Sequence, residues 1–159
     1  MVVSQGGDGM PLTDEKKREN ALNRTFGRYK ALTIGKCKSD ALSLFQRLRR
    51  LECANANWEA ACISCGKVCN VSEMDGGHFI SRAKTAVAFS PLNVHAQCKY
   101  CNRHLSGNLA EYRKRLIEKI GVESVEFLEA IQDEEFKPSK WQYAVRREYY
   151  RVKIKSLLN

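Results

Sequence analysis

Four of the seven cysteines fall into two Cys-x-x-Cys pairs, Cys62 with Cys65 and Cys98 with Cys101, and Cys69 follows the first pair. Two thiolates at that spacing make a tight knuckle, and two knuckles complete a tetrahedral Zn²⁺ site with no open position. Such a zinc is structural. In a stretch this poor in large apolar residues, its binding supplies folding free energy on the order of 10 kcal/mol. Cys69 is either a spare thiol or a substitute for Cys65, while Cys37 and Cys53 stand alone. An odd count, and an opening MVVSQGGDGMPL without a basic start and apolar stretch, argue against a disulfide framework.

Polar residues cluster around the two knuckles. The sequence reads Asp75-Gly76-Gly77-His78-Phe79-Ile80, then Asn93-Val94-His95-Ala96-Gln97, then Asn102-Arg103-His104 behind the second knuckle. A zinc that pins the knuckles together brings His78 near the start of the helix carrying Asn102. A neutral imidazole can take a proton from water near pH 7. A hard cation such as Mg²⁺ or Mn²⁺ takes oxygen ligands and offsets charge on a reacting phosphate. Metal-dependent phosphodiester hydrolysis can use such an arrangement, with His78 either a general base or a hydrogen-bonded structural residue. Asn102 is a cation ligand or a helix N-cap, and Asp75 is a second ligand or a turn former. His104 and His95 either approach the cation or pack against the hairpin. Asn93 is expected to bond across the loop between the strands.

The elements that must position these residues follow from periodicity and turn signals. Residues 1–12 read as a mobile Gly/Ser leader, and 13–38 as a basic, partly helical arm. Ser39 with Asp40 behind it suggests an N-cap. Leu42, Phe45, Leu48 and Leu51 then recur at helical spacing, with Arg47, Arg49 and Arg50 on the other side, where they either touch phosphate or form a solvated face. Short strands with turns at Cys65-Gly66, Asp75-Gly76-Gly77 and Ser90-Pro91 fill 59–98. Helical signals return near Lys99 and stop at Gly107. Asn108 with Glu111 suggests a capping box for a helix ending near Gly121, and a further helix covers 122–133. The last helix starts after Pro138-Ser139, with Trp141, Val145, Tyr149 and Val152 along one side. The expected organisation is a basic N-terminal arm over 1–38, partly disordered, and an amphipathic helix over 39–58. A zinc-bound core over 59–121 and a C-terminal helical region over 122–159 follow.

Composition limits the partners. Of 159 residues, 27 are Lys or Arg and 18 are Asp or Glu, for a net charge of +9. The acidic side chains concentrate in 123–136, and basic blocks surround them. That pattern suits a polyanion, most simply nucleic acid, or else a solvated surface. No apolar run reaches the ~20 residues that cross a bilayer, so no membrane role is expected. No nucleotide cofactor is called for.

The order Cys-x-x-Cys, His closing a strand, Asn-Val, then Cys-x-x-Cys with a polar residue behind resembles a zinc-stabilised HNH endonuclease of the ββα-metal superfamily. More narrowly, CISCG, DGGHF, NVHAQCKYCNRHLSGNL and Y-R-x-x-L-I-x-x-I-G resemble the NinG (Rap) recombination proteins of lambda-like phages over about 61–131. The resemblance implies an α+β fold with a zinc-bound ββα-metal (HNH) core flanked by amphipathic helices. It implies a structure-specific nuclease acting on double-stranded or branched DNA, Holliday junctions and D-loops, in the cytoplasm of a bacterial host. It gives His78 the role of general base, Asn93 that of the middle Asn orienting the loop, and Asn102 that of cation ligand. Asp75 and His104 are further candidates for the cation. Arg82, Lys84, Arg103, Arg113, Lys114 and Arg115 are candidates to hold the DNA backbone. Symmetric cutting of two strands would favour a homodimer built by the flanking helices. A non-catalytic zinc module that binds DNA is the alternative. Two departures stand out: Gly77 occupies the position where many HNH enzymes place an Asp or His ligand, and residues 1–60 lack the extra cysteine-rich segment usual in NinG proteins.

Overall fold

The computed structural model describes residues 13–159, so the Gly/Ser leader at 1–12 lies outside the described residues. The fold is α+β. Helices α1 (Asp14–Lys30) and α2 (Ile34–Glu52) precede two antiparallel hairpins, β1 (Glu59–Ala61) with β2 (Val68–Asn70) and β3 (Met74–His78) with β4 (Val94–Cys98). A π-helical turn over Tyr100–His104 follows, then α3 (Leu109–Ile120), α4 (Val122–Ile131) and α5 (Lys140–Leu158).

Three of the helices start where a side chain can replace a missing backbone acceptor. Thr13 Oγ1 accepts from the Lys16 amide at 3.3 Å and Thr33 Oγ1 from the Lys36 amide at 3.2 Å. Ser139 and Gln142 form a reciprocal capping box at the start of α5. The cap expected at Ser39 is thus displaced to Thr33. Ser39 lies inside α2, and Asp40 pairs with Lys36 one turn earlier at 2.6 Å. The boundary drawn at residue 38 therefore cuts a continuous helix. The described part of the arm before it holds α1, a turn at 31–33 and the first residues of α2, and Tyr29 is buried in a cluster with Cys37, Ala41, Tyr143 and Ala144.

Helix α2 buries Leu42, Phe45 and Leu48, the spacing the sequence displayed, against Val94, Tyr150 and Ile154. Its arginines depart from a simply solvated face. Arg49 donates from Nε to the Val94 carbonyl at 3.1 Å and from Nη2 to the Pro91 carbonyl at 3.1 Å, while Arg50 donates to the Met74 carbonyl. Both guanidinium groups clamp the β3–β4 hairpin onto α2, because the strand ends leave carbonyls that need donors.

Helix α5 is apolar on two sides, and packing selects the unexpected one. Tyr143, Ala144, Tyr150 and Ile154 are buried, whereas Trp141, Val145, Tyr149 and Val152 are exposed. The buried set meets α2 and Phe89, with Phe89 stacked on Tyr150 at 6.4 Å and Arg146 above the Phe89 ring at 5.0 Å. A separate cluster of Ile63, Phe79, Ile80, Val87, Tyr112, Leu116, Val125 and Leu128 joins α3 and α4 to the hairpin loop. The 122–159 region is therefore split: α4 packs with α3, and α5 packs with α1 and α2.

Candidate active site

The β1–β2 turn carries Cys62 and Cys65, and the end of β4 carries Cys98 with Cys101 three residues on. The Ile63 amide donates to the Ala96 carbonyl at 3.0 Å, which ties the first knuckle to β4. The four sulfurs lie within 4.8 Å of one another, and Cys65 and Cys98 are 3.9 Å apart. A tetrahedron with Zn–S bonds of ~2.3 Å has edges near ~3.8 Å, so this all-thiol set fits zinc. Burial pushes the Cys101 thiol up to about 12, and a cation bound there would hold it deprotonated. Cys69 lies on β2 and Cys65 completes the cluster, which settles the choice between them.

Asn108 serves this cluster in place of the expected capping box. It sits in the left-handed region at φ 45°, makes no side-chain cap, and points Nδ2 at Cys101 Sγ, 3.7 Å away. Satisfying a knuckle sulfur takes precedence over capping α3.

Beside the knuckle, β3 runs between α2 and β4 with almost no room for side chains. A Cβ on Gly76 would lie 2.7 Å from the Gln46 carbonyl oxygen, and one on Gly77 would lie 2.1 Å from Gln97 Oε1. Gly76 lets the backbones of α2 and β3 touch. Gly77 yields its place to the buried Gln97, whose Nε2 donates to Ser64 Oγ at 2.7 Å and to the Gly107 carbonyl at 2.6 Å. A ligating Asp or His at position 77 is therefore excluded by the group that braces both knuckles.

His78 ends β3. Its Nε2 lies 3.0 Å from the Ala88 carbonyl, and a carbonyl can only accept, so Nε2 carries the proton and Nδ1 the lone pair. Among the described residues Nδ1 has no hydrogen-bond partner and is not buried. Burial pushes the imidazole below its ordinary range and the Ala88 carbonyl partly opposes that, so His78 is neutral at pH 7. It lines a hollow of about 360 Å³ with Gln46, Gly76, Arg82 and Asn102. An adjoining hollow of about 350 Å³ adds Arg47, Arg50, Asp75 and Arg103. The two form one cleft with His78 at one end and four guanidinium groups along it.

Among the described residues, Asp75 is the only carboxylate lining that cleft. Arg103 grips it with two bonds of 2.8 Å, and Asn102 Nδ2 donates to it at 2.9 Å. The Arg103 and Asn102 hydrogen bonds hold its pKa below the usual carboxylate range against the opposing effect of burial. Asn102 keeps Oδ1 as a hard acceptor. For a divalent cation the chain thus offers Asn102 Oδ1 and a carboxylate already shared with Arg103. Mg²⁺ can be held by as few as one or two protein ligands, with water and phosphate oxygens completing its shell.

The other expected residues scatter. Asn93 is fully buried: Oδ1 accepts from the Ile80 amide at 2.7 Å, and Nδ2 donates to the Ile80 and Val87 carbonyls at 2.9 and 3.1 Å. It shapes the loop behind His78 and cannot touch a reacting atom, so it is a positioning residue and not a catalytic one. His95 is buried against the Leu92 carbonyl at 3.1 Å, away from the cleft. His104 is exposed and packs on Tyr100 at 5.8 Å, and it does not line the cleft. Among the backbone-binding candidates, Arg82 and Arg103 line the cleft. Lys84 pairs with Asp133, and Arg113 makes two bonds to Glu129 at 2.8 and 3.0 Å. Arg115 lies over the Gly66 turn, and Lys114 is exposed on α3. Sequence reasoning missed Ser43 and Gln46 as cleft residues, and offered Arg47 and Arg50 as possible phosphate contacts without placing them in the cleft. The signal for the arginines was present as a basic side to α2, but nothing in the spacing said that this side faces β3.

A family model described as "Bacteriophage Lambda NinG protein" matches residues 11–159. The chain is 38% identical over 101 residues to protein ninG of Salmonella phage P22, covering 60% of this chain and 47% of that one. It is 37% identical over 99 residues to protein ninG of Escherichia phage lambda, covering 62% and 48%. The chain thus spans about half the length of these curated relatives. No solved structure matches, and no helix among the described residues is long and apolar enough to cross a membrane. With a family match running from residue 11 to the last residue, the chain belongs to the NinG family.

Proposed function

We propose that this protein is a divalent-cation-dependent DNA endonuclease that cuts branched recombination intermediates, with β3, β4, the π-helical turn and α3 as a zinc-braced HNH core. One observation carries the reading. His78 is neutral, its tautomer is set by the Ala88 carbonyl, and it lines a cleft shared with Asn102, Arg47, Arg50 and Arg82, with Nδ1 left free of any hydrogen bond among the described residues. A base held in this way needs no reorientation to take a proton from water. The arginines supply fixed positive charge for a phosphodiester, and guanidinium groups match phosphate oxygens two at a time.

In the reaction, the arginines along the cleft would hold the phosphodiester, and His78 Nδ1 would accept the proton of the attacking water. Asn102 Oδ1 and Asp75 would hold the cation, which when bound offsets charge on the scissile phosphate and the leaving oxygen. Asn93 keeps the 79–93 loop closed behind His78, so the imidazole cannot swing away.

The test is cleavage of a labelled four-way junction beside linear duplex of the same sequence, with Mg²⁺, Mn²⁺ or EDTA. The expected result is cation-dependent cutting of the junction. Tight binding without cutting under either cation would support the second reading, a zinc-braced DNA-binding accessory protein. That reading has its own observation: both Asp75 oxygens are already engaged by Arg103 and Asn102.

A further inference from the structure

Trp58 is one of three non-glycine residues at positive φ among the described residues, at 58°, and it precedes β1 directly. A bulky side chain in the left-handed region is strained, and glycine is the usual occupant. The turn enforces the strain. Asn55 Oδ1 accepts from the amides of Asn57 and Glu59 at 2.9 and 3.0 Å, and the Trp58 amide donates to the Asn55 carbonyl at 3.1 Å. The Val71 amide then donates to the Trp58 carbonyl at 2.9 Å.

The strain yields little in packing, since Trp58 remains 42% exposed. Its indole instead lines a hollow of about 450 Å³ with Arg47, Arg50, Leu51 and Asn70. Arg47 and Arg50 also line the cleft that leads past Asp75 to His78. Trp58, the arginines and His78 therefore occupy successive stations of one trough. A phosphate backbone lying on Arg47 and Arg50 would bring an adjoining base within reach of the indole.

We propose that Trp58 is a stacking platform for an unpaired base next to the phosphate held in the cleft. The inference rests on the reading of that cleft as a DNA site and names the substrate class more narrowly. In intact duplex both faces of each base are covered by neighbours, so an exposed indole has nothing to stack on. At a fork, flap or branch an unpaired base offers its face, whatever its identity.

The test measures binding in EDTA, so that cutting does not interfere, to a forked duplex with one unpaired arm and to blunt duplex of the same sequence. Trp58→Ala should weaken fork binding about tenfold to a hundredfold and blunt-duplex binding less than about twofold. Trp58→Phe should keep most of the fork affinity. Trp58→Gly should bind the fork as weakly as the alanine variant while raising the unfolding midpoint by a few degrees, because the strain is released. The chain has two tryptophans, so in a Trp141→Phe background the fork, and not the blunt duplex, should quench the remaining emission.

Unchanged fork affinity in Trp58→Ala would overturn the platform, as would equal loss on both DNAs or a lower midpoint in Trp58→Gly. Failure of the wild-type protein to bind either DNA would overturn the cleft reading itself. Normal wild-type binding with an indifferent Trp58→Ala variant would remove the platform alone.

Discussion

In the four-cysteine cluster, the sulfurs come from two stretches of four residues each. The cleft beside it draws on Gln46, Arg47 and Arg50 from α2, Asp75 and His78 from β3, Arg82 from the loop, and Asn102 and Arg103 from the π-helical turn. The first is closed, largely buried and uncharged apart from its thiols. The second is open, cationic and made largely of groups already hydrogen-bonded to one another or to the hairpin backbone. They meet at Cys101-Asn102: the last sulfur of the knuckle and the first cleft residue of the turn are consecutive. Metal binding at the knuckle therefore fixes where Asn102 and Arg103 stand against Asp75. On the proposed reading the difference separates two tasks, with the knuckle holding the hairpin in place and the cleft offering the groups that would do the chemistry.

The strongest way to break that division is to remove the metal. Cys98→Ser should abolish stoichiometric zinc binding and unfold the hairpin. The scale is the metal's contribution, on the order of 10 kcal/mol, read by zinc content and thermal unfolding. A well-folded, zinc-free Cys98→Ser protein would show that the knuckle is not the brace.

Next in size is Asn93→Ala, which leaves the Ile80 amide and the Ile80 and Val87 carbonyls without partners. At roughly 1–3 kcal/mol for each unpaired buried group, a loss of about 4 kcal/mol is expected in chemical denaturation. A loss below about 1 kcal/mol would mean that the loop is held by other contacts.

A pH titration probes the buried histidine that the cleft does not use. Burial drives His95 down to about 4, only partly countered by the Leu92 carbonyl, and Arg49 and Lys119 add to the fall. Unfolded imidazole titrates near ~6.5, so between those values the unfolded chain binds the extra proton. Stability from this group is thus complete above pH ~6.5 and falls as the pH drops toward about 4, by about 3 kcal/mol. His95→Gln should flatten that part of the stability profile.

Smaller still, Gly77→Ala forces Gln97 to move and should cost about 1–3 kcal/mol, with relief when Gln97→Ala is combined with it. Least of all, Arg113→Ala should leave the thermal unfolding midpoint indistinguishable from wild type, since its pair with Glu129 is solvent-screened.

Sequence alone made the knuckle legible because a metal site built from local spacing writes itself as spacing. Asn102 follows Cys101 directly, and pinning the two knuckles together is expected to bring His78 near it; the two do line one hollow. The apolar face of α2 was also legible, as a period. Contacts that pass between elements were not. The role of Arg49 and Arg50 as hairpin clamps depends on which face of α2 meets β3. The choice between two apolar faces of α5 depends on Phe89 and Tyr150 stacking, which no local pattern displays. The grip of Arg103 on Asp75 joins residues 28 positions apart, and it occupies both oxygens of a residue expected as either a cation ligand or a turn former. Asn108 looked like a cap because its sequence neighbours fit one, and the knuckle sulfur claimed it.

The central claim is that His78 acts as a base in the cleft while the knuckle merely holds it there. The most direct measurement is single-turnover cleavage of a four-way junction by His78→Ala, with its zinc content and junction affinity first shown equal to wild type. The expected result is a rate lowered by about 10²–10⁴ at unchanged affinity. Cleavage at the wild-type rate by that zinc-loaded variant would contradict it.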